Sequence, residues 1–329
     1  MIIPIVAGAV VLVAFILIAV LSYIAFAAFL KSNPAKREKG WQNFAAKAES
    51  GKLPEKWAKW MERYKAEREF FFNTDGYEKL EIKSGKHKLV GHYIGQKSKN
   101  TVIILHGLGE FQRGELCVVD ARLFYEMGYN VFIPDIGGHG ESSAPYLDAG
   151  HGKQNYIMLW IETLEAKESG MRFLLCGASG GGAAALIVSG HPDRPASVDA
   201  IISDSTYTSL AELCPHVLVK MLKFKWLAKI VSVGVECWCK ILARYGFSKN
   251  SPIKSVKRSV LPTLIIHGTA DNFVPYSMGE KLFENCTAKN KAFLAIEGGG
   301  HDDCNHRWSN PQFEEKVKKF CEDLYSKNS

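Results

Sequence analysis

A chain of 329 residues that is 47% hydrophobic and 23% charged has the balance of a globular protein, and its length allows one large domain or two ordinary ones. The formal charge of +7 is mild, and no basic stripe with interleaved aromatics points to nucleic acid. The eight cysteines include no C-x-x-C pair, and Cys237 and Cys239 stand at the wrong spacing for a zinc knuckle. Cys117 and Cys176 fall in apolar segments, where a thiol behaves as a small hydrophobe, so reduced thiols and a cytosolic face are expected.

Residues 2–30 carry no charge. About 20 apolar residues cross the hydrocarbon core of a bilayer, so this run is long enough to span it. A secretory signal is the rival, with Ala25-Phe26-Ala27 as a cleavage site, but there is no basic n-region and the apolar stretch is about twice the usual length. A single-pass, uncleaved anchor is expected. Lys31, Lys36, Arg37 and Lys39 follow it at once, and the positive-inside rule puts that flank, with all that follows, on the cytoplasmic side.

Residues 31–76 read as a charged juxtamembrane linker, with eleven Lys/Arg against seven Asp/Glu over 31–75 and helix-compatible stretches broken near Gly51 and Pro54. Trp41, Trp57 and Trp60 have two settings open to them, the headgroup layer or the surface of the following domain. From residue 77 to 329 the pattern is that of one domain. Tyr77–Lys83 and Lys88–Gly95 alternate as a hairpin, and 101–106 is a buried strand. Helices near 115–127, 154–168 and 180–189 then alternate with strands at 130–134, 172–176 and 198–203. After a break the alternation resumes with strands 263–267 and 291–297 and helices 278–286 and 311–325. Such alternation predicts an α/β fold, a mostly parallel sheet flanked by helices, with its ligand site at the carboxyl ends of the strands. The break, about 207–260, is helical and apolar, with six Lys/Arg against Glu236 alone over 215–245. It reads as a helical lid, or else as a packing subdomain with a solvated basic face.

The chemistry centres on Gly177-Ala178-Ser179-Gly180-Gly181, between an apolar strand and a small-residue helix. This is the G-x-S-x-G elbow, in which a strained strand-to-helix turn lifts a serine hydroxyl out of the sheet. A serine nucleophile needs a base, an orienting acid and oxyanion donors. His301 follows strand 291–297 across three glycines and is the candidate base; His106, His139 and His267 have plainer settings in Gly-rich turns. Asp271, four residues past His267, is the candidate acid, with Asp204 as its rival. The backbone N–H groups of Gly180 and Leu108 are the candidate oxyanion donors.

Five motifs carry a resemblance. Leu105-His-Gly-Leu-Gly, the run 134–142 (PDIGGHGES), Gly177-Ala-Ser-Gly-Gly, the run 266–275 (IHGTADNFVP) and Gly300-His301 resemble the α/β-hydrolase superfamily, over roughly residues 77–325. The nearest branch is the membrane-anchored bacterial esterase/lipase-like hydrolases with serine-aminopeptidase-like domains. The resemblance implies Ser179 as nucleophile, His301 as base, Asp271 as acid, and Leu108 with Gly180 at the oxyanion. Leu108 stands where the family often has an aromatic residue or Gly.

It also implies a serine hydrolase acting on carboxylic esters, and the anchor and apolar lid point to a hydrophobic or lipid-like substrate. A peptidase on the same scaffold and a silent, membrane-tethered binding module are the alternatives. No cofactor is called for. His301, Asp302, Asp303 and His306 are too close in sequence to make a metal site without a special loop. Gly177-x-Ser-x-Gly-Gly lacks the Lys-Ser/Thr of a phosphate loop.

Overall fold

The computed structural model describes residues 2–108, 114–147, 151, 156–301 and 311–325. Eight strands form one sheet: β1 (Tyr77–Ser84), β2 (His87–Ile94), β3 (Asn100–Leu105), β4 (Asn130–Pro134), β5 (Arg172–Ala178), β6 (Val198–Asp204), β7 (Thr263–Gly268) and β8 (Lys291–Ile296). Their spatial order is β1-β2-β4-β3-β5-β6-β7-β8. The β1–β2 and β2–β4 pairs are antiparallel and every later pair is parallel. This is the α/β-hydrolase arrangement.

The helices that cover the sheet explain why its inner strands are unbroken apolar runs: a parallel strand with both faces covered has no polar side to show. Val102 and Ile104 of β3 face one layer, in which α3 (Glu55–Asn73), α4 (Val118–Glu126) and α11 (Pro311–Tyr325) bury Trp60, Phe124 and Val317. Ile103 and Leu105 face the other, with Trp160 of α5 (Tyr156–Lys167), Leu186 of α6 (Gly180–Ser189) and Leu282 of α10 (Tyr276–Asn285). Neighbouring residues of a strand thus serve opposite cores, as the two-residue strand period requires.

The stretch read as a linker holds two helices, α2 (Pro34–Glu49) and α3. Asn33 caps α2 by accepting from the Lys36 amide at 3.0 Å. Of the two settings open to the tryptophans, the structure has the second. Trp60 is buried and stacks on Tyr64 at 5.3 Å, while Trp41 and Phe44 meet it edge-on. The basic residues alternate with these aromatics at helical spacing, so one face is solvated and the other packs on the sheet layer.

Between β6 and β7 the chain leaves the sheet as a helical hairpin, α7 (Leu210–Leu222) and α8 (Lys225–Trp238), followed by one wider π-type turn, Cys239–Ala243, and the short α9 (Pro252–Val256). The hairpin shares a third apolar cluster with the end of α1 (Ile2–Leu30), in which Phe26, Leu30, Leu218, Val231, Val235 and Phe247 are buried. The N-terminal helix therefore does not leave the body at Lys31. Leu30 O accepts from the Leu147 amide at 2.9 Å, the Ser32 amide donates to Pro145 O at 2.9 Å, and Lys31 bridges to Tyr146. The buried Arg37 guanidinium and the Ser32 hydroxyl both donate to the Gly138 carbonyl.

Candidate active site

Ser179 closes β5 and opens α6, and its φ of 52° and ψ of −114° put it in a strained region for a residue with a side chain. The surroundings hold it there. Its amide donates to Asp204 O on β6 at 2.8 Å, and its carbonyl accepts from the Ala183 amide at 2.9 Å. The flanking glycines are needed for space: a Cβ on Gly177 would lie 2.5 Å from the Gly181 carbonyl carbon, and one on Gly180 would lie 2.6 Å from Leu108 Cγ and 2.8 Å from Leu108 N. The Leu108 and Gly180 backbones thus border the same small space, at the N-terminal end of α6, where helix amides have no intrahelical partner.

His301 Nδ1 lies 2.8 Å from Asp271 Oδ2. The other carboxylate oxygen of Asp271 accepts from the Phe273 and Val274 amides, each at 2.8 Å, and His267 Nε2 stands 3.4 Å from Oδ2. Burial pushes the Asp271 carboxyl up. Hydrogen bonds from His267 and His301, with the Val274 amide, outweigh that and hold it well below the usual carboxylate range. The two loops are tied together, since the Ala270 amide donates to Gly299 O at 3.0 Å and the Gly298 amide to Thr269 Oγ1 at 2.9 Å. Asp204, the rival acid, has its own hydroxyl contact, Ser205 Oγ at 2.9 Å.

A cavity of about 310 Å³ opens on Ser179. Leu108 and Phe273 border its floor, and the Phe273 ring lies 4.9 Å from that of His301. Leu213, Val217 and Leu218 of α7, Val235 of α8 and Phe247 line one side. The other side is α1 itself, through Ala25, Ala27, Ala28, Phe29 and Leu30. Among the described residues, the charged groups at the lining are Lys31, Lys36 and Arg37, and no carboxylate is among them.

Three contributors escaped the sequence reading. The α1 wall did, because an apolar residue looks the same in a sequence whether it faces lipid, protein or a cavity. His267 did, because its contact with Asp271 exists only once β7 and the following loop are folded; the four-residue spacing was its one trace. The third is the buried pair behind the cavity-lining Tyr207. His151 Nδ1 lies 2.6 Å from the Asn250 carbonyl, which can only accept, so Nε2 is left to accept from the Tyr207 hydroxyl at 3.0 Å. His106 has a bracing role of the same kind, with Nδ1 2.8 Å from Gly107 O and Nε2 accepting from the Ile136 amide at 2.9 Å. Asp302, Asp303 and His306 lie outside the described residues. Among the described residues no group of three or more His, Cys, Asp or Glu could hold a metal ion.

Comparison with known proteins bears on what this site belongs to. The profile of the prolyl oligopeptidase family matches residues 119–327, well over half of the chain and from α4 to the last helix. The chain belongs to the prolyl oligopeptidase family. Within the α/β-hydrolase fold, it is similar to the uncharacterized protein YfhR of Escherichia coli K12, 30% identical over 178 residues, 54% of this chain and 55% of the relative. The chain thus matches about half the length of that relative. An uncharacterized membrane protein of Saccharomyces cerevisiae is 27% identical over 235 residues, 69% of this chain and 74% of the yeast protein. Among solved structures it is similar to the Pyrococcus furiosus esterase Pf2001, with a TM-score of 0.59 at 20% identity over 75% of this chain and 90% of that one. A membrane phospholipase A gives a TM-score of 0.53 at 17% identity over 87% and 97%. At these identities the two structures speak for the fold alone. The family and the fold are those of hydrolases.

Proposed function

We propose that the protein is a membrane-anchored serine hydrolase that cleaves hydrophobic acyl esters through Ser179, His301 and Asp271. The observation that carries this reading is the strained Ser179 on the floor of an apolar cavity, in a site that also holds a His301–Asp271 pair at 2.8 Å. Ser179 Oγ attacks the ester carbonyl while the His301 imidazole takes its proton. Asp271 keeps Nδ1 protonated and stabilises the imidazolium that forms. The Leu108 and Gly180 amides receive the developing oxyanion. His301 then protonates the leaving alcohol, the acyl group stays on Ser179, and water activated by His301 releases the acid.

The lining supports an acyl substrate, being apolar on both long sides. An aminopeptidase needs a carboxylate to hold the substrate amine, and the charged groups among the described lining residues are basic. In the same reading α1 spans the membrane and the body sits on the cytoplasmic face. That view draws on the length and apolarity of Val6–Leu30 and on the cations that follow it.

The test is labelling of the purified protein by a fluorophosphonate probe beside Ser179→Ala and His301→Ala, followed by a p-nitrophenyl ester series of rising chain length with an aminoacyl-amide control. Labelling lost in both variants and turnover of esters are expected. An unlabelled wild-type protein in detergent would leave a tethered binding module, and amide turnover above ester turnover would favour the peptidase.

A further inference from the structure

The cap helix α8 and the π-type turn that continues it carry four distinct faces. Ala228, Val231, Val235 and Cys239 point into the third cluster. Gly234 and Trp238 face α1: a Cβ on Gly234 would collide with the Ser22 hydroxyl, and Trp238 Nε1 donates to Ala19 O at 3.1 Å. As α1 ascends from Ala19 to Ser22, α8 descends from Trp238 to Gly234, so the two helices run antiparallel side by side. A third face holds the exposed Lys225 and Lys229, with Lys240 paired to Glu236 at 2.9 Å. Between the lysines and the α1 seam lies the fourth face, Trp226, Ile230, Val233 and Ile241, each between 42% and 65% exposed. An apolar stripe at helical spacing is normally turned inward. This one is turned out.

Its neighbour is also apolar and exposed. Val20, Ile24 and Phe29 of the same stretch of α1 are 51%, 58% and 43% exposed. The run 2–30 has 29 residues, some nine more than the roughly 20 that cross a hydrocarbon core. That surplus matches the packed end of α1, from Ser22 to Leu30. At this level Tyr23 and Trp238 meet edge-on with centroids 5.2 Å apart, a pair suited to the boundary between acyl chains and headgroups.

We infer that the outward stripe of α8, continuous with α1, is a bilayer-contact surface, and that the cavity draws its acyl substrate from the leaflet this surface touches. This rests on α1 spanning the membrane. Two features commit the surface to lipid: its continuity with that helix, and the row of lysines along its far edge, which meets anionic headgroups while the stripe enters the acyl boundary. The α1 residues that line the cavity, Ala25 and Ala27 to Leu30, lie on the same packed segment. The ester bond therefore reaches Ser179 without its chain crossing water.

The test uses the full chain in vesicles of phosphatidylcholine and phosphatidylglycerol. Ile230→p-benzoylphenylalanine is irradiated and analysed for adducts; phospholipid adducts are expected. A cross-linked pair of protein chains, or no adduct, overturns the inference in favour of a protein interface or a solvated face. In parallel, Ile230→Asp/Val233→Asp is compared with wild type on a long-chain ester held in the vesicle and on dissolved p-nitrophenyl acetate. The vesicle-held substrate should lose about tenfold or more, on the scale of a carboxylate's cost at a lipid-facing position, with the dissolved ester within about twofold. Equal loss on both, or on neither, overturns the inference. Release of the wild type by alkaline carbonate would sink the spanning helix instead, and an inert wild type on the dissolved ester would sink the hydrolase reading.

Discussion

The floor and the wall of the cavity are held by different forces. At the floor, Ser179, Asp271 and the loop before His301 are fixed by backbone hydrogen bonds and by glycines that leave no room for a Cβ. At the wall, α1, α7 and α8 meet almost wholly through apolar side chains, with the Trp238–Ala19 bond as one polar rivet. Backbone hydrogen bonds specify position to fractions of an ångström, whereas apolar packing specifies volume and tolerates exchange of shape. The floor is thus suited to chemistry that fails on small displacements, and the wall to a selectivity that can be retuned without disturbing it.

The sharpest way to break this contrast is at the floor. Ser179→Ala should lower kcat on a short ester by about 10⁶-fold, and Asp271→Asn by about 10⁴-fold. Asp204→Asn should stay within several-fold, measured in the same assay. A large loss in Asp204→Asn with a small one in Asp271→Asn would reverse the assignment of the acid. Gly180→Ala forces Leu108 away from the elbow and should cost about 10²–10³ in kcat, the usual effect of losing an oxyanion donor. Fluorophosphonate labelling should be slowed in step, and a variant with normal kcat would remove Leu108 from that role.

At the wall, Ala25→Phe should fill the α1 side of the cavity. It should lower kcat/KM for long-chain esters by about 10-fold or more, on the scale of a misplaced group or two in an apolar pocket. Acetate and butyrate esters should keep their rates. Loss across all chain lengths would mean that the wall also positions the catalytic loops.

The smallest effect concerns stability. Burial pushes the His151 imidazole down to about 4, with the Asn250 carbonyl acting in the opposite direction. An unfolded imidazole titrates near 6.5. Between about 6.5 and 4 the unfolded chain takes up a proton that the folded one refuses, so this stability is present above that window and is lost as pH falls through it. Burial likewise lowers His92, His106 and His139, with the same sign. The urea midpoint should drop from pH 7 to pH 5, and His151→Gln should flatten that slope. An unchanged slope would mean that His151 is not buried in solution.

The floor was legible in the sequence because its constraints are local. A strained serine needs glycine two residues away on either side, and a loop that turns back over a strand end needs the run 298–300. The inner strands were legible for a related reason, being largely apolar runs. The wall was not, because nothing in Ala25-Phe26-Ala27-Ala28 distinguishes a lipid-facing turn from a buried one. The tryptophans of α2 and α3 were ambiguous for the same reason, since aromatic residues beside cations suit a headgroup layer as well as a domain surface.

The backbone pairing of residues 30–32 with 145–147 has a practical consequence. A tether can be shortened or cut without changing what it holds. This helix cannot, because its final turns complete a core. A soluble fragment begun at Lys31, where hydropathy invites the cut, would empty the niche filled by Phe26, bare Val231 and Val235 to water, and open the cavity along its length. Such a fragment would be a different protein from the intact one, and its substrate range would describe the wound.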